Sequence, residues 1–324
     1  MKPFKSDLAS HLEAYLSYRK SLGYKDKKLR YGLWVFDQYI AKSPINPKRL
    51  SPSFFLDFKK SIKGEPKTIN SILSATRGFF DYLVRIDILD ENPLKEIPPV
   101  RINAFIPFIF SPEDISHMLN ALENNIRKDP AYFFKDLTVY MAILLLSQCG
   151  LRLREPLSLK ISHYCKEDGT IYIEKTKFSK DRLIPLPSQL TSQMENFLNV
   201  RNTMISKNQT MYLFPGEAGN MLSTKRIYKA FHQVIKAIGI YQCRQIIGNT
   251  VFGAPTPHSL RHSFAINTLK KIRDQGKSPQ MALPVLSAYM GHRKYRYTAV
   301  YLKVLDAKQY RGLVNFCIHA QKDI

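Results

Sequence analysis

Residues 137–160 read LTVYMAILLLSQCGLRLREPLSLK, and the division of this stretch decides the fold. From Leu137 to Ser147 it is strongly apolar, which predicts a core helix of a sizeable domain. Gly150 then breaks that helix, so that Arg152 emerges at a helix–helix junction beside the core. Pro156 suits the first turn of the next helix, where a missing N–H costs little. Beyond it, between Ile161 and Pro187, the pattern changes to short strands. Ile171-Tyr-Ile-Glu174 follows a Glu167-Asp-Gly-Thr170 turn, and Arg182-Leu-Ile-Pro-Leu186 follows the polar loop Phe178-Ser-Lys-Asp181. Helical patterning resumes from Ser188 to Ser206, from Thr224 to Ile238 and from Ser259 to Lys271, while Tyr241 to Thr256 has no assignable pattern. The expected fold class is mainly α with a small antiparallel β-sheet.

Toward the N-terminus, Ser111-Pro112-Glu113-Asp114 is a helix start, with a capping serine, a proline and two acids in the first turn. Pro93, Pro98, Pro99 and Pro107 precede it in an apolar stretch without periodicity, which places a linker at 96–108 between domains at 1–95 and 109–324. The first domain reads as four helices: Asp7 to Leu22, Lys28 to Ala41, Pro52 to Ile62 and Lys67 to Leu83.

The 324 residues carry 49 Lys and Arg against 26 Asp and Glu, a formal charge of +23 and a pI near 9.8. Residues 1–100 hold 18 basic and 11 acidic side chains, and the remainder 31 and 15, so both domains suit a polyanionic partner, nucleic acid first. Arg19, Lys20, Lys27, Lys28, Lys67 and Arg77 are the candidate DNA-backbone contacts of the first domain, though the same charges would also serve solubility. Cys149, Cys165, Cys243 and Cys317 are widely spaced and form no C-x-x-C pair, which argues against a zinc site or a disulfide framework. No signal peptide and no run of about 18 apolar residues is apparent, so the expectation is a cytoplasmic protein with no membrane partner.

An ordered polar set runs through the second domain: Arg152, Lys177, His258, Arg261, His292 and Tyr301. Two arginines, a lysine and two histidines around a tyrosine suit a phosphodiester, since the cations hold the phosphate while the phenol attacks phosphorus. No carboxylate cluster accompanies them to hold a metal. Taken singly, each residue has an ordinary reading: Arg152 as an ion-pair partner, His258-x-x-Arg261 as chance in an arginine-rich chain, Lys177 as a solvated loop lysine with Lys175 and Lys180 as rivals. Tyr289, Tyr295, Tyr297 and Tyr310 crowd the same region as Tyr301, with Tyr297 the second candidate for the nucleophile.

In combination these residues resemble the tyrosine recombinase (phage integrase) family, which includes the Xer resolvases and lambda-type integrases. The motifs are Gly150-Leu-Arg152 with Glu155, Pro257-His258-x-x-Arg261-His262-Ser-Phe-Ala265, Met290-Gly291-His292, and Tyr301 nine positions after His292. The resemblance implies a SAM-like helical core-binding domain followed by a tyrosine-recombinase catalytic domain. It implies that Arg152 and Arg261 hold the scissile phosphate, that Tyr301 forms a 3′-phosphotyrosine, and that Lys177 protonates the leaving 5′ oxygen. His258 and His292 would bond the phosphate, with Glu155 and His262 supporting them. No metal and no other cofactor is implied. The implied partners are double-stranded DNA carrying recombination sites, a homotetramer on synapsed sites, and accessory or partner recombinases. Arg154 stands where the family often has a small polar residue, and the unassigned stretch before His258 reads as an insertion. Alternative readings are a catalytically silent DNA-binding accessory protein and a type IB topoisomerase-like enzyme. Integration or excision of a mobile element is the expected setting.

Overall fold

The structure is a computed structural model that describes residues 3–24, 26–42, 50–174, 181–205, 209–292, 294–302 and 304–305. It divides into two units, Met1–Asn103 and Ala104–Ile324. In the first, α1 (Ala9–Ser21), α2 (Lys27–Ile40), α3 (Pro52–Ser61) and α4 (Pro66–Arg85) turn their apolar faces onto one core. Phenylalanines dominate it: Phe36 lies edge-on to Phe58 and Phe80 at centroid distances of 5.2 and 5.6 Å, an arrangement that adds to the burial of each ring. The buried Asp37 carboxylate accepts from the backbone N–H groups of Lys5 and Ser6 and from the Ser6 hydroxyl, fastening the incoming chain to α2.

The second unit begins with β1 (Ala104–Ile106) and continues through α5 (Pro112–Asn124), α6 (Pro130–Gln148) and the short α7 (Arg154–Leu157). Strands β2 (Tyr164–Cys165), β3 (Thr170–Ile173) and β4 (Arg182–Pro185) form an antiparallel sheet. Then come α8 (Ser188–Met204), α9 (Thr224–Ala237), β5 (Gln245–Ile247), β6 (Thr250–Phe252), α10 (Pro257–Asp274) and α11 (Pro279–Met290). A further helical stretch, 296–302, follows. The expected apolar helix is the middle of α6, whose residues 138–147 are all buried while α5, α8, α9 and α10 pack around it. By length and composition α6 could also cross a bilayer, contrary to the sequence expectation, but its apolar surface is spent on this core. The Ser111 capping box forms as expected, with the Ser111 hydroxyl accepting from the Asp114 N–H and the Asp114 carboxylate from the Ser111 N–H.

Two features sharpen the sequence reading. The division between the units falls inside residues 96–108, which are built into both units: Ile97 is buried in the first core, Val100 exchanges two hydrogen bonds with Asn70 of α4, and Ala104–Ile106 is a strand of the second unit. The unassigned stretch 241–256 contains the β5–β6 hairpin, whose β6 pairs in parallel with β1 to make a second three-stranded sheet.

Candidate active site

Two glycines set the geometry. Gly150, just past α6, has φ +57°, and a Cβ there would collide with the Phe264 ring of α10. The bare turn lets the Gly150 carbonyl accept from Arg261 Nη1 at 2.8 Å. Gly291 caps α11 with φ +63°, and its missing Cβ would stand 3.2 Å from Arg182 Nη1 and 3.4 Å from Arg152 Nη1. The last carbonyls of α11 therefore meet three guanidiniums. Tyr289 O accepts from Arg182 Nε at 2.8 Å, Met290 O from Arg261 Nη2 at 2.5 Å, and Gly291 O from Arg152 Nη2 at 2.5 Å. These are carbonyls that a helix leaves unpaired at its negative end, so cations are favoured there.

Glu155, on α7, ties the cluster together. Its Oε1 accepts from Arg152 Nη1 at 2.9 Å and Arg182 Nη1 at 3.1 Å, and its Oε2 from the Arg152 backbone N–H at 2.8 Å and Arg182 Nη2 at 2.7 Å. Burial alone would raise the carboxyl's pKa, but the bonds and charge of Arg182, and then Arg152, more than offset it and hold Glu155 below the usual carboxylate range. Arg261 is only 2% exposed, and burial beside Arg152 lowers its pKa to about 10, which leaves it charged at neutral pH. Three guanidiniums against one carboxylate leave an excess of two positive charges in a largely buried cluster, a configuration that favours an anion.

Three imidazoles adjoin this cluster. His258 and His262 lie one turn apart on α10 with ring centroids 4.6 Å apart, edge to face. His262 Nδ1 is 3.0 Å from the Tyr301 hydroxyl. His292, which follows α11, is 2.7 Å through Nδ1 from Thr298 Oγ1, and its ring lies 6.3 Å from that of Tyr301. Burial and then neighbouring cations lower all three pKa values, His262 to about 3 and His292 to about 4, so the rings are neutral at pH 7. Tyr301 is 5% exposed; burial raises its pKa, while Arg261 and Arg152 work in the opposite direction. Among the described residues, no group of three or more histidine, cysteine, aspartate or glutamate side chains is placed to hold a metal.

The structure thus gathers Arg152, Glu155, His258, Arg261, His262, His292 and Tyr301, whereas Lys177, with its rivals Lys175 and Lys180, lies outside the described residues. Tyr297 is 48% exposed with the Arg296 guanidinium over its ring, and Tyr289 stacks on Phe264, whereas Tyr301 is 5% exposed with its hydroxyl 3.0 Å from His262 Nδ1. Arg182 was missed by the sequence reading. Its signal was an arginine opening a strand on the far side of the loop that carries Lys177. In the first unit, Lys20, Lys27, Lys28 and Lys67 are exposed and Arg19 lies 3.9 Å over the Tyr24 ring. Arg77 has a structural task, donating to the carbonyls of Leu94 and Ile97.

Residues 109–308, more than half of the chain, match the model of the phage integrase family, and the chain belongs to that family. It is a site-specific tyrosine recombinase, which cleaves and rejoins DNA strands through a phosphotyrosine intermediate. It is 29% identical over 302 residues to the integrase/recombinase y4rE of Sinorhizobium fredii, itself provisionally assigned, with 93% of each chain covered. In fold it is similar to the XerH site-specific recombinase bound to a palindromic difH substrate in a post-cleavage complex. The TM-score there is 0.66 at 20% identity, over 94% of this chain and 83% of that one. A lambda integrase tetramer bound to a Holliday junction matches with a TM-score of 0.62 at 17% identity, over 89% of this chain and 77% of that one.

Proposed function

We propose that Tyr301 is the nucleophile of this recombinase, that Arg152 and Arg261 hold the non-bridging oxygens of the scissile phosphate, and that Arg182 and Glu155 fix Arg152. The observation that carries this reading is the buried Tyr301 hydroxyl beside a cluster with two unbalanced positive charges. A phosphodiester brings one negative charge, and phenolate attack gives a five-coordinate phosphorus with two. The excess charge matches the transition state better than the ground state, which is the condition for lowering the barrier. Arginine suits the task because its planar fork can bond an anion and a carbonyl at once. His258 and His292 bond the phosphate, and Lys177 protonates the leaving 5′ oxygen as a 3′-phosphotyrosine forms.

DNA is the substrate, and Arg19, Lys20, Lys27, Lys28 and Lys67 of the first unit contact its backbone. The chain acts as a homotetramer on two paired sites, a reading supported by the fold it shares with the junction-bound lambda integrase tetramer. Its setting is the cytoplasm and its task the integration or excision of a mobile element. Incubation with nicked duplexes cut from the flanks of the encoding locus tests the reading. A protein–DNA adduct that survives denaturant is expected, together with a four-protomer complex in sedimentation when two sites are present. Tight binding without an adduct on any nicked duplex would contradict it.

A further inference from the structure

We propose that His262 Nδ1 is the group that accepts the phenolic proton of Tyr301 during strand cleavage and returns it during rejoining. The inference rests on Tyr301 being the nucleophile and adds the base that the reaction requires. His262 is the imidazole whose nitrogen lies 3.0 Å from the Tyr301 hydroxyl. The two rings meet edge to face, with centroids 5.7 Å apart and an interplanar angle of 61°. His292 is committed through Nδ1 to Thr298, and His258 meets His262 edge to face.

Among the described residues, the groups facing His262 from α10 and from the segments after α11 are His258, Arg261, His292 and Tyr301. None is an anion at neutral pH, so the ring is neutral and has one nitrogen lone pair to offer. With Nε2 carrying the ring proton, Nδ1 accepts from the phenol. A weak base is adequate for this step, because the phenol oxygen becomes an aryl phosphate oxygen that is far less basic. A base between these extremes takes the proton as the new bond forms.

The Tyr301 oxygen bonds to phosphorus while its proton moves to Nδ1; the bond from phosphorus to the 5′ oxygen breaks, and that oxygen departs as a hydroxyl with a proton from Lys177. In rejoining, the 5′ hydroxyl attacks phosphorus, its proton goes back to the lysine, and the imidazolium returns its own to the departing phenol oxygen. The imidazolium forms as the phosphorus centre gains its extra negative charge and persists beside the phosphotyrosine diester, whose remaining negative charge offsets part of the cost of a cation among arginines until the proton is returned.

His262→Asn keeps an acceptor near the Nδ1 position but cannot take the proton. In single-turnover adduct formation on the nicked flank duplexes, it is expected to slow cleavage by about 100-fold while leaving DNA affinity nearly unchanged. A fluorinated tyrosine placed at 301, whose phenol gives up its proton more readily, is expected to restore much of that rate in the Asn variant. A cleavage rate equal to that of the parent chain would overturn the proposal. So would a loss that the fluorinated tyrosine does not recover, since a packing role would not respond to phenol acidity. Nitrogen-15 NMR of the free protein decides independently of DNA: Nδ1 is expected to be unprotonated at pH 7, and a protonated Nδ1 would overturn the assignment. An adduct that persists in Tyr301→Phe removes the nucleophile itself, whereas one lost in Tyr301→Phe but undiminished in His262→Asn removes the role of His262 alone.

Discussion

Glu155 is where the site's electrostatics are most concentrated, since one carboxylate accepts four hydrogen bonds from Arg152 and Arg182. Glu155→Gln leaves two guanidiniums without their counter-charge, and a loss of about 3 kcal/mol in unfolding free energy is expected by urea titration. A change within the noise of that titration would show that the α11 carbonyls suffice to hold both arginines. The histidines set the pH dependence. His262 titrates at about 3 when folded against a reference value of 6.5, so between those values the unfolded chain binds a proton that the folded one does not. Stability is therefore expected to fall as pH drops below about 6.5, by roughly 1 kcal/mol per pH unit from this residue. His262→Asn should flatten that slope, and an unchanged slope would contradict the assignment. The cluster of Arg152, His258, Arg261, His292 and Tyr301 was legible in the sequence because its order and spacing are specific when taken together, while Lys177 of the same set lies outside the described residues. Arg182 was not, because a lone arginine at a strand start is indistinguishable from a surface residue until its partners in α7 and α11 are known.

At the scale of elements, the C-terminal turn of α11 does the positioning, by offering three successive carbonyls to Arg182, Arg261 and Arg152. Gly291→Ala inserts a methyl group 3.2 Å from Arg182 and 3.4 Å from Arg152, in a left-handed conformation that alanine resists. Cleavage is expected to drop by about 10-fold with DNA affinity little changed, because a misplacement of a few tenths of an ångström weakens transition-state contacts first. Equal losses in binding and cleavage would contradict this. Most helices were readable from their apolar periodicity, α4 and α9 to within a few residues, but α11 (Pro279–Met290) was not assigned from the sequence. The β5–β6 hairpin escaped because its strands have three residues each, and Ile246 and Ile247 are 61% and 63% exposed, so no alternation marks an inner face. Only the Gly248-Asn249 dipeptide between them was a usable turn signal. The pairing of β6 with β1 joins segments far apart in sequence, which no local pattern reveals.

For the whole molecule, the two units have separate apolar cores, the first built on Phe36, Phe55, Phe58, Phe79 and Phe80 and the second around α6, with a smaller cluster of α10 and α11 residues that includes Tyr301. Residues 1–103, produced alone, are therefore expected to fold cooperatively as a helical domain, as judged by circular dichroism and thermal melting; a non-cooperative melt would contradict the division. The charge of +23 predicts DNA binding that weakens steeply with salt, and it was legible from composition, whereas the boundary was not sharply so. The prolines marked where the pattern fails, but the residues there are held by Asn70 and by β6 rather than left as a tether. The role of Tyr301 is tested most directly by mass-spectrometric mapping of the covalent adduct trapped on a nicked recombination site, with Tyr301→Phe in parallel. A nucleotide joined through its 3′ phosphate to Tyr301 is expected, and no adduct in the Phe variant. A modified Tyr297, or an adduct that persists in Tyr301→Phe, would contradict it.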